Sequence, residues 1–203
     1  AFVNFYEKFP HLKDNVFYIA GESYGGVYVP LLAVKVLDRK FPPILKGVAI
    51  GNGLLDPTSL WGGESMRQFL YSHGLQDNAQ MTVDGSLEDM VYIFNIYRSC
   101  QYKPPHLAKQ SSNSTRRQLP QCELFPLMKP YFNQVAVKTA IHIDPNWGGV
   151  WTYYNNAIFH EYKKHMRKHP MDVEVKRLAD NGIKVLIHNG DADAACNFIG
   201  DKK

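Results

Sequence analysis

The sequence predicts an α/β fold in which a parallel β-sheet is flanked by helices. Three short apolar runs have the composition of buried strands, and they lie at residues 16–20, 46–51 and 184–190. Each run ends at a glycine or an Asn-Gly turn, and enough helical or loop sequence precedes it for a crossover connection. Strands joined by long crossovers pair in parallel, so the three runs should form one sheet.

The N-terminal segment comes before the first strand and reads AFVNFYEKFP. Its apolar residues follow the pattern of an amphipathic helix. The sequence begins inside this helix, without an initiator methionine or a signal peptide. We therefore expect the chain to be a piece of a longer protein.

The first strand runs directly into the segment GESYGG at residues 21–26, which places Ser23 between glycines. Beyond it, apolar residues recur at about helical spacing, at Val27, Leu31, Leu32, Val34 and Leu37. The pattern predicts a strand, a tight turn and a helix, with Ser23 on a sharp bend at the carboxyl end of the sheet. The neighbouring glycines, Gly21, Gly25 and Gly26, would be needed because such a bend leaves no room for larger residues. The alternative is a glycine-rich turn in which Ser23 only caps the helix.

The segment between the second and third strands, residues 52–183, is far longer than an ordinary crossover. We expect it to contain a mostly helical cap insertion at residues 57–170. Apolar residues at helical spacing predict helices at residues 64–74, 87–98 and 151–166. Active sites of open α/β sheets form at the carboxyl ends of the strands, so the insertion should lie there and shape the substrate pocket.

Composition and charge argue against several classes of protein. The 203 residues are 45% hydrophobic and 21% charged, which is ordinary for one globular domain. No apolar run approaches the roughly 20 residues that span a bilayer. The net charge of +4 is modest, and the basic stretch at 163–170 is better explained as a solvated helix face than as a nucleic-acid site. No CxxC motif and no histidine pair at ligand spacing occurs, so neither a metal nor another cofactor is expected.

Two features of a polar stretch indicate an oxidising compartment. Cys100 and Cys122 bracket this stretch, and a disulfide that closed it would contribute roughly 3 kcal/mol in the chain-entropy model. Asn113 lies inside it and begins the glycosylation sequon Asn-Ser-Thr. Together they favour a lysosomal or secreted protein.

An acid partner for the serine is offered after the third strand. A serine hydroxyl becomes a good nucleophile when a base, usually a histidine held by a carboxylate, removes its proton. In α/β hydrolases these partners follow in the order Ser, Asp or Glu, and His. The segment NGDADAACNFIGD supplies two aspartates. Asp191 lies in the turn, where a bond to its own backbone is the simpler role. Asp193 can project in another direction and is the better candidate.

Three blocks of the sequence resemble the serine carboxypeptidases, the family of cathepsin A and the lysosomal protective protein. They read GESYGGVYVP, GVAIGNGLLDP and VLIHNGDADAACNFIGD, and the resemblance outside them is weak in the insertion. It implies an α/β-hydrolase fold, of which residues 1–203 would be a single partial domain. It also implies an enzyme that acts on peptides with a free C-terminus and releases their last residue through an acyl-enzyme at acidic pH. A homodimer is a further expectation.

The resemblance assigns roles to individual residues. Ser23 would be the nucleophile, Asp193 the triad acid, and the backbone N–H of Tyr24 one oxyanion donor. Glu22 would help to bind the terminal carboxylate of the substrate as a protonated donor. Cys196 would be a free cysteine near the specificity pocket, with a buried structural thiol as the alternative.

The remaining implications concern covalent links and missing parts. Cys100 and Cys122 are similar to a disulfide pair of the animal enzymes. The family's catalytic histidine comes after the triad aspartate, but no histidine follows Asp193 here. His188 lies inside the third strand and is a poor candidate for a displaced base. We therefore expect the histidine and an N-terminal glycine-rich oxyanion loop to lie outside this chain.

The expected truncation has a physical consequence. The isolated chain would lack the strands that flank the three described here, and it should be marginally folded and inactive alone. Two other classes of function are compatible with the sequence. One is another α/β-hydrolase chemistry, such as an esterase or acyltransferase. The other is a non-catalytic lysosomal or secreted glycoprotein that binds or protects partners.

Overall fold

The computed structural model describes residues 2–40, 45–56, 64–77, 92–98, 124–165 and 169–202. The chain divides into two compact units. The first consists of Ala1–Asp84 and Arg167–Lys203, and the second of Gly85–Met166. None of the helices in the described ranges combines the length and the apolar character that a membrane crossing requires.

The first unit is built on a parallel sheet of three strands. These are β1 (Phe17–Ser23), β2 (Leu45–Gly53) and β3 (Lys184–His188), with β2 in the middle. The three predicted strands and their parallel pairing are therefore confirmed. The central strand is largely buried, whereas the outer strands expose apolar side chains such as Tyr18 at 61% and Leu186 at 58%.

Helices α1 (Phe2–Lys8) and α2 (Gly25–Arg39) flank the first strand in sequence. The predicted N-terminal helix is confirmed in α1, and its Phe2 ring makes an edge contact with Phe17 of β1, with centroids 5.8 Å apart. A short 3-10 turn at Pro10–Leu12 leads from α1 towards β1.

The core of the first unit lies between the sheet and two helices, α2 and the later helix α7 (Asp172–Asp180). An ion pair between Arg177 and Asp38 joins these helices at the surface. The buried core residues are contributed by α2, β2, α7 and the residue before β3: Val29, Ala33, Val36, Leu45, Val48, Ile50, Leu178 and Ile183.

The buried face of α2 overlaps in part with the apolar residues noted in the sequence. The structure buries Val29, Ala33 and Val36, which are spaced by four and three residues. Leu32 belonged to the predicted apolar set but is 41% exposed. The helix is thus confirmed. Of the predicted apolar set, Val27 is buried and Val34 packs against the core, whereas Leu32 is exposed because apolar residues surround much of the helix circumference.

Helix α3 (Glu64–Ser72) also belongs to the first unit, and Phe69 on it contacts Phe198, with ring centroids 6.1 Å apart. Phe198 begins α8 (Phe198–Asp201), the last helix of the described chain. The helix predicted at residues 64–74 is confirmed, although it ends at Ser72 before Gly74, which has a positive φ of 68°.

The described part of the second unit contains three helices, α4 (Leu124–Phe132), α5 (Val135–Ala140) and α6 (Asn156–His165). Asn133 exchanges two hydrogen bonds of 2.9 Å with the backbone of Trp151, which ties the end of α4 to the segment before α6. The cap insertion at residues 57–170 stays a prediction, because α3 groups with the sheet and the second unit begins only at Gly85.

Two helix predictions in this region need correction, and an asparagine is the cause in both. Residues 92–98 form consecutive turns instead of a helix, and the Asn95 side chain accepts a hydrogen bond from the Tyr97 N–H. The helix predicted from residue 151 begins at Asn156, because the Asn155 side chain accepts a bond of 3.1 Å from the Ile158 N–H. Residues 87–91 and 166 lie outside the described residues.

The first turn of α2 packs directly against the end of β2. A Cβ on Gly26 would lie 2.7 Å from the Leu54 carbonyl carbon and closer still to the Leu54 nitrogen. A Cβ on Gly21 would lie 2.7 Å from the Val29 side chain. The steric roles predicted for these two glycines are confirmed, but the one predicted for Gly25 is wrong, since its added Cβ would meet no atom within 4 Å.

This contrast predicts opposite effects for two adjacent substitutions. Gly26→Ala should lower the free energy of unfolding by about 1–3 kcal/mol, because the methyl group would collide with rigid backbone. Gly25→Ala, the matched control, should be neutral or slightly stabilising, since alanine favours helix over glycine. Urea unfolding followed by circular dichroism measures both. Equal stability of the two variants would contradict the close packing described here.

Candidate active site

Ser23 stands on a strained bend. It is the last residue of β1, it is exposed, and its φ is +58°, a value uncommon for residues other than glycine. Helix α2 begins two residues later at Gly25. The Leu54 N–H donates a hydrogen bond of 2.8 Å to the Ser23 carbonyl oxygen and so ties the bend to the end of β2. The strand, tight turn and helix predicted around Ser23 are confirmed.

The end of β2 carries a β-bulge beside this bend. Glu22 pairs with Gly51 and Ser23 pairs with Gly53, so Asn52 has no partner on β1. Asn52 has a positive φ of 41°. A bulge of this kind changes the direction of a side chain and is common next to active sites.

The bulge brings Asn52 to the loop after β3, where Asp193 lies. The Asn52 amide nitrogen donates a hydrogen bond of 2.8 Å to Asp193 Oδ2, and its amide oxygen accepts one of 3.2 Å from the Gly190 N–H. Asp193 Oδ1 accepts a bond of 2.8 Å from the Ala195 N–H and a longer one of 3.5 Å from the Cys196 N–H. Asp193 is therefore held from both of its oxygens, whereas Asp191 is exposed in the same loop.

Two opposing effects set the pKa of Asp193. Burial raises it, and the negative charge of Glu22 acts in the same direction. The hydrogen bonds from Ala195, Cys196 and Asn52 favour the carboxylate and lower the pKa, but burial outweighs them. Glu22 adjoins Ser23, so the charge at the Ser23 bend acts on the Asp193 carboxyl.

Cys196 connects the loop of Asp193 to Ser23. It is a free cysteine, partly buried, and its thiol makes a hydrogen bond with the Ser23 side chain. Burial, followed by the charges of Asp193 and Asp201, raises the pKa of Cys196 to about 12. The thiol is thus neutral at physiological pH and is a poor nucleophile.

Asp201 supports the same loop from α8, and the sequence analysis did not identify it. Its carboxylate accepts a hydrogen bond of 2.8 Å from the Asn189 side chain and further bonds from the backbone N–H groups of Gly53 and Leu55. The Asn189 amide also donates a 3.3 Å bond to the Cys196 carbonyl oxygen. Burial raises the pKa of Asp201 to about 6 in spite of these donors.

The structure thus gathers five predicted residues at the carboxyl ends of the strands. Glu22, Ser23 and Tyr24 form the bend, and Asp193 and Cys196 lie in the loop after β3. Asn52 was also missed by the sequence analysis, although its block GVAIGNGLLDP was singled out. In a sequence, asparagine followed by glycine indicates a turn. The pattern gives no indication that the asparagine side chain binds a carboxylate far away in the chain.

His188 ends β3, and its imidazole lies over the backbone of Gly51, its partner on β2. Within the described part of the chain, no hydrogen bond joins His188 to Ser23 or Asp193. The predicted disulfide of Cys100 and Cys122 and the sequon at Asn113 lie outside the described residues. No group of three histidine, cysteine or acidic side chains placed to hold a metal ion occurs among the described residues.

Comparison with known families agrees with this arrangement. The family model described as serine carboxypeptidase matches residues 1–89 and 78–203. The chain belongs to the serine carboxypeptidase family.

Several members of the serine carboxypeptidase family are similar to nearly the whole chain. Serine carboxypeptidase ctsa-4.1 of Caenorhabditis elegans is 29% identical over 248 residues, covering 98% of this chain and 51% of that protein. The lysosomal protective protein of Mus musculus is 28% identical over 259 residues, covering 100% of this chain and 53% of that protein. The chain spans about half the length of these relatives.

A solved structure supports the fold of the serine carboxypeptidases. The prohormone-processing carboxypeptidase Kex1(delta)p of Saccharomyces cerevisiae has a TM-score of 0.62 and 18% identity, covering 98% of this chain and 49% of that one. The α/β-hydrolase fold predicted from the sequence is confirmed.

The high pKa of Cys196 predicts slow alkylation. At pH 8 iodoacetamide should modify Cys196 roughly two orders of magnitude more slowly than glutathione, because very little thiolate is present. Peptide mapping by mass spectrometry measures the rate at this cysteine alone. The urea-unfolded chain is the control and should react at the glutathione rate. If native Cys196 were alkylated at a rate within a few-fold of the glutathione rate, its thiol would not be buried as the structure shows.

The raised pKa of Asp201 predicts a pH dependence of stability. Its folded-state value of about 6 exceeds the ordinary 3.8, so the folded state binds the proton more tightly than the unfolded state does. The stability contributed by Asp201 is therefore full below about pH 4 and falls as the pH rises to about 6. Urea unfolding between pH 4 and 7 should show a smaller decline for Asp201→Asn than for the unmodified chain.

The matched control for this test is Asp191→Asn, which changes an exposed aspartate of the same loop. It should leave the decline between pH 4 and 6 as it is in the unmodified chain. A decline that is equally steep in Asp201→Asn would show that Asp201 is not the group responsible.

Proposed function

We propose that the protein containing this chain is a carboxypeptidase that removes the C-terminal residue of peptides, with Ser23 as the nucleophile. The observation that carries the proposal is the strained, exposed Ser23 at the β1–α2 bend, with the Asp193 loop beside it. The relatives named serine carboxypeptidases support the same reaction. Peptides with a free C-terminus are the proposed substrates.

In the proposed reaction, Ser23 Oγ attacks the carbonyl carbon of the last peptide bond while a base takes the hydroxyl proton. The Tyr24 N–H and the positive end of the α2 dipole would stabilise the oxyanion, because α2 begins directly behind the nucleophile. The base returns the proton to the leaving amine, and an ester to Ser23 remains. Water activated by the same base then cleaves this ester and restores the serine.

We propose that the base is a histidine beyond this chain, and that Asp193 orients it. The Asp193 carboxylate is held in one orientation by Asn52 and by two backbone N–H groups. An imidazole N–H would therefore bind it from one defined direction. Cys196 would line the site as a neutral thiol.

Glu22 is the proposed contact for the terminal carboxylate of the substrate. It is exposed and adjoins Ser23. Two carboxyl groups attract each other only when one of them is protonated and donates a hydrogen bond to the other. This requirement favours activity at acidic pH and in a lysosomal or secreted location. A relative named lysosomal protective protein supports this location. Glycosylation at Asn113, the Cys100–Cys122 disulfide and a homodimer belong to the same proposal.

The proposal is tested with the protein expressed from its full coding sequence. It should release the last residue from an N-blocked dipeptide with a free carboxylate and should cleave the amidated form much more slowly. Ser23→Ala should lower kcat by at least about 10³-fold, since the acyl-enzyme can no longer form. Ser72→Ala, on the exposed end of α3, is the matched control and should retain full activity.

Two results would overturn the proposal. One is equal turnover of the free and amidated substrates, which would indicate an esterase, amidase or other hydrolase. The other is undiminished turnover by Ser23→Ala, which would place the nucleophile elsewhere.

A further inference from the structure

We infer that Asn52 is a positioning residue that fixes the direction in which Asp193 Oδ2 is offered to the catalytic base. The inference rests on the proposed function, in which Asp193 orients a histidine. It concerns a residue of β2, whereas the nucleophile and the acid follow β1 and β3.

The first argument is the backbone at Asn52. The residue occupies a bulge between two paired positions and has a positive φ of 41°, a conformation that asparagine tolerates better than most residues. An ordinary strand residue here would have paired with β1 and pointed to one face of the sheet. The bulge instead turns the amide towards the loop after β3.

The second argument is that the amide has one defined orientation. Its oxygen accepts the Gly190 N–H at 3.2 Å, and its nitrogen donates to Asp193 Oδ2 at 2.8 Å. If the amide were flipped, its oxygen would face the carboxylate and its NH₂ group would face the Gly190 N–H. Both contacts would then be repulsive, so the Gly190 N–H holds the donor towards Asp193.

The third argument is the count of lone pairs on Asp193. A carboxylate accepts about four hydrogen bonds, two at each oxygen. The Ala195 and Cys196 N–H groups occupy Oδ1, and Asn52 occupies one position on Oδ2. Among the described contacts, this leaves one direction on Oδ2. An imidazole N–H that reaches Asp193 should therefore bind Oδ2 opposite Asn52.

A merely structural role for Asn52 would be to hold the bulge in place. The two roles separate when the side chain is removed without disturbing the backbone. Asn52→Gly does this, because glycine adopts a positive φ without strain. Asn52→Asp keeps an acceptor for the Gly190 N–H but replaces the donor to Asp193 with a like charge.

The test combines a titration with kinetics. The carboxyl ¹³C signal of Asp193 is followed with pH in the full-length protein labelled at aspartate. Asn52→Gly should shift its titration to higher pH, and Asn52→Asp should shift it further. Glu22, Cys196 and Asp201, the other titratable groups around Asp193, are the same in every variant. In the full-length enzyme, Asn52→Gly should lower kcat about three- to ten-fold, with KM little changed.

The matched control is Asn181→Ala, which removes an exposed asparagine amide whose one hydrogen bond among the described residues is to the Arg177 carbonyl oxygen. It should leave both the Asp193 titration and kcat unchanged. An Asp193 titration that is the same in Asn52→Gly, Asn52→Asp and the unmodified chain would overturn the inference. The titration requires no turnover, so an inactive full-length protein would refute the proposed function and still leave the role of Asn52 decided.

Discussion

The close approach of helix α2 to the end of strand β2 is the constraint on which the site depends. Gly26 has no side chain, so the first turn of α2 can lie against the backbone of Gly53 and Leu54. The chain must therefore pass from β1 into the helix within two residues. Ser23 lies in this short connection and adopts a strained backbone conformation with a positive φ. The hydrogen bond from the Leu54 N–H to the Ser23 carbonyl oxygen connects the bend to the end of β2. For the proposed nucleophile, this anchoring would reduce the reorganisation needed before reaction.

The same strand end also holds Asp193. Asn52 binds Asp193 and the Gly190 N–H, and the backbone N–H groups of Gly53 and Leu55 bind Asp201. The loop after β3 is thus attached to β2 on two sides. The burial that results raises the pKa of Cys196, Asp193 and Asp201 together, which is the expected effect of placing ionisable groups in a region poor in water. The serine bend and the acid loop are consequently parts of one assembly, with β2 between them.

Features that depend on neighbouring residues could be predicted from the sequence, whereas contacts between residues far apart in the chain could not. The three strands, the bend at Ser23 and the loop of Asp193 follow from short apolar runs, glycines and turn residues. Asn52 and Asp193 are 141 residues apart, and no periodicity connects them. Gly25 was assigned a steric role because the direction in which α2 leaves the bend cannot be read from glycine spacing. The helix prediction is wrong for residues 92–98, because the Asn95 side chain accepts a local backbone hydrogen bond that apolar periodicity does not reveal.

The central claim is that the end of β2 holds both the bend at Ser23 and the loop of Asp193, and amide hydrogen exchange tests it most directly. Two amides outside the regular strand ladders report on the two attachments: Leu54, bonded to Ser23, and Gly190, bonded to Asn52. In the native chain both should exchange slowly, at rates comparable to the amides in the middle of β2. Exchange of either amide at the rate of an unstructured peptide would contradict the account, because that attachment would then not form in solution.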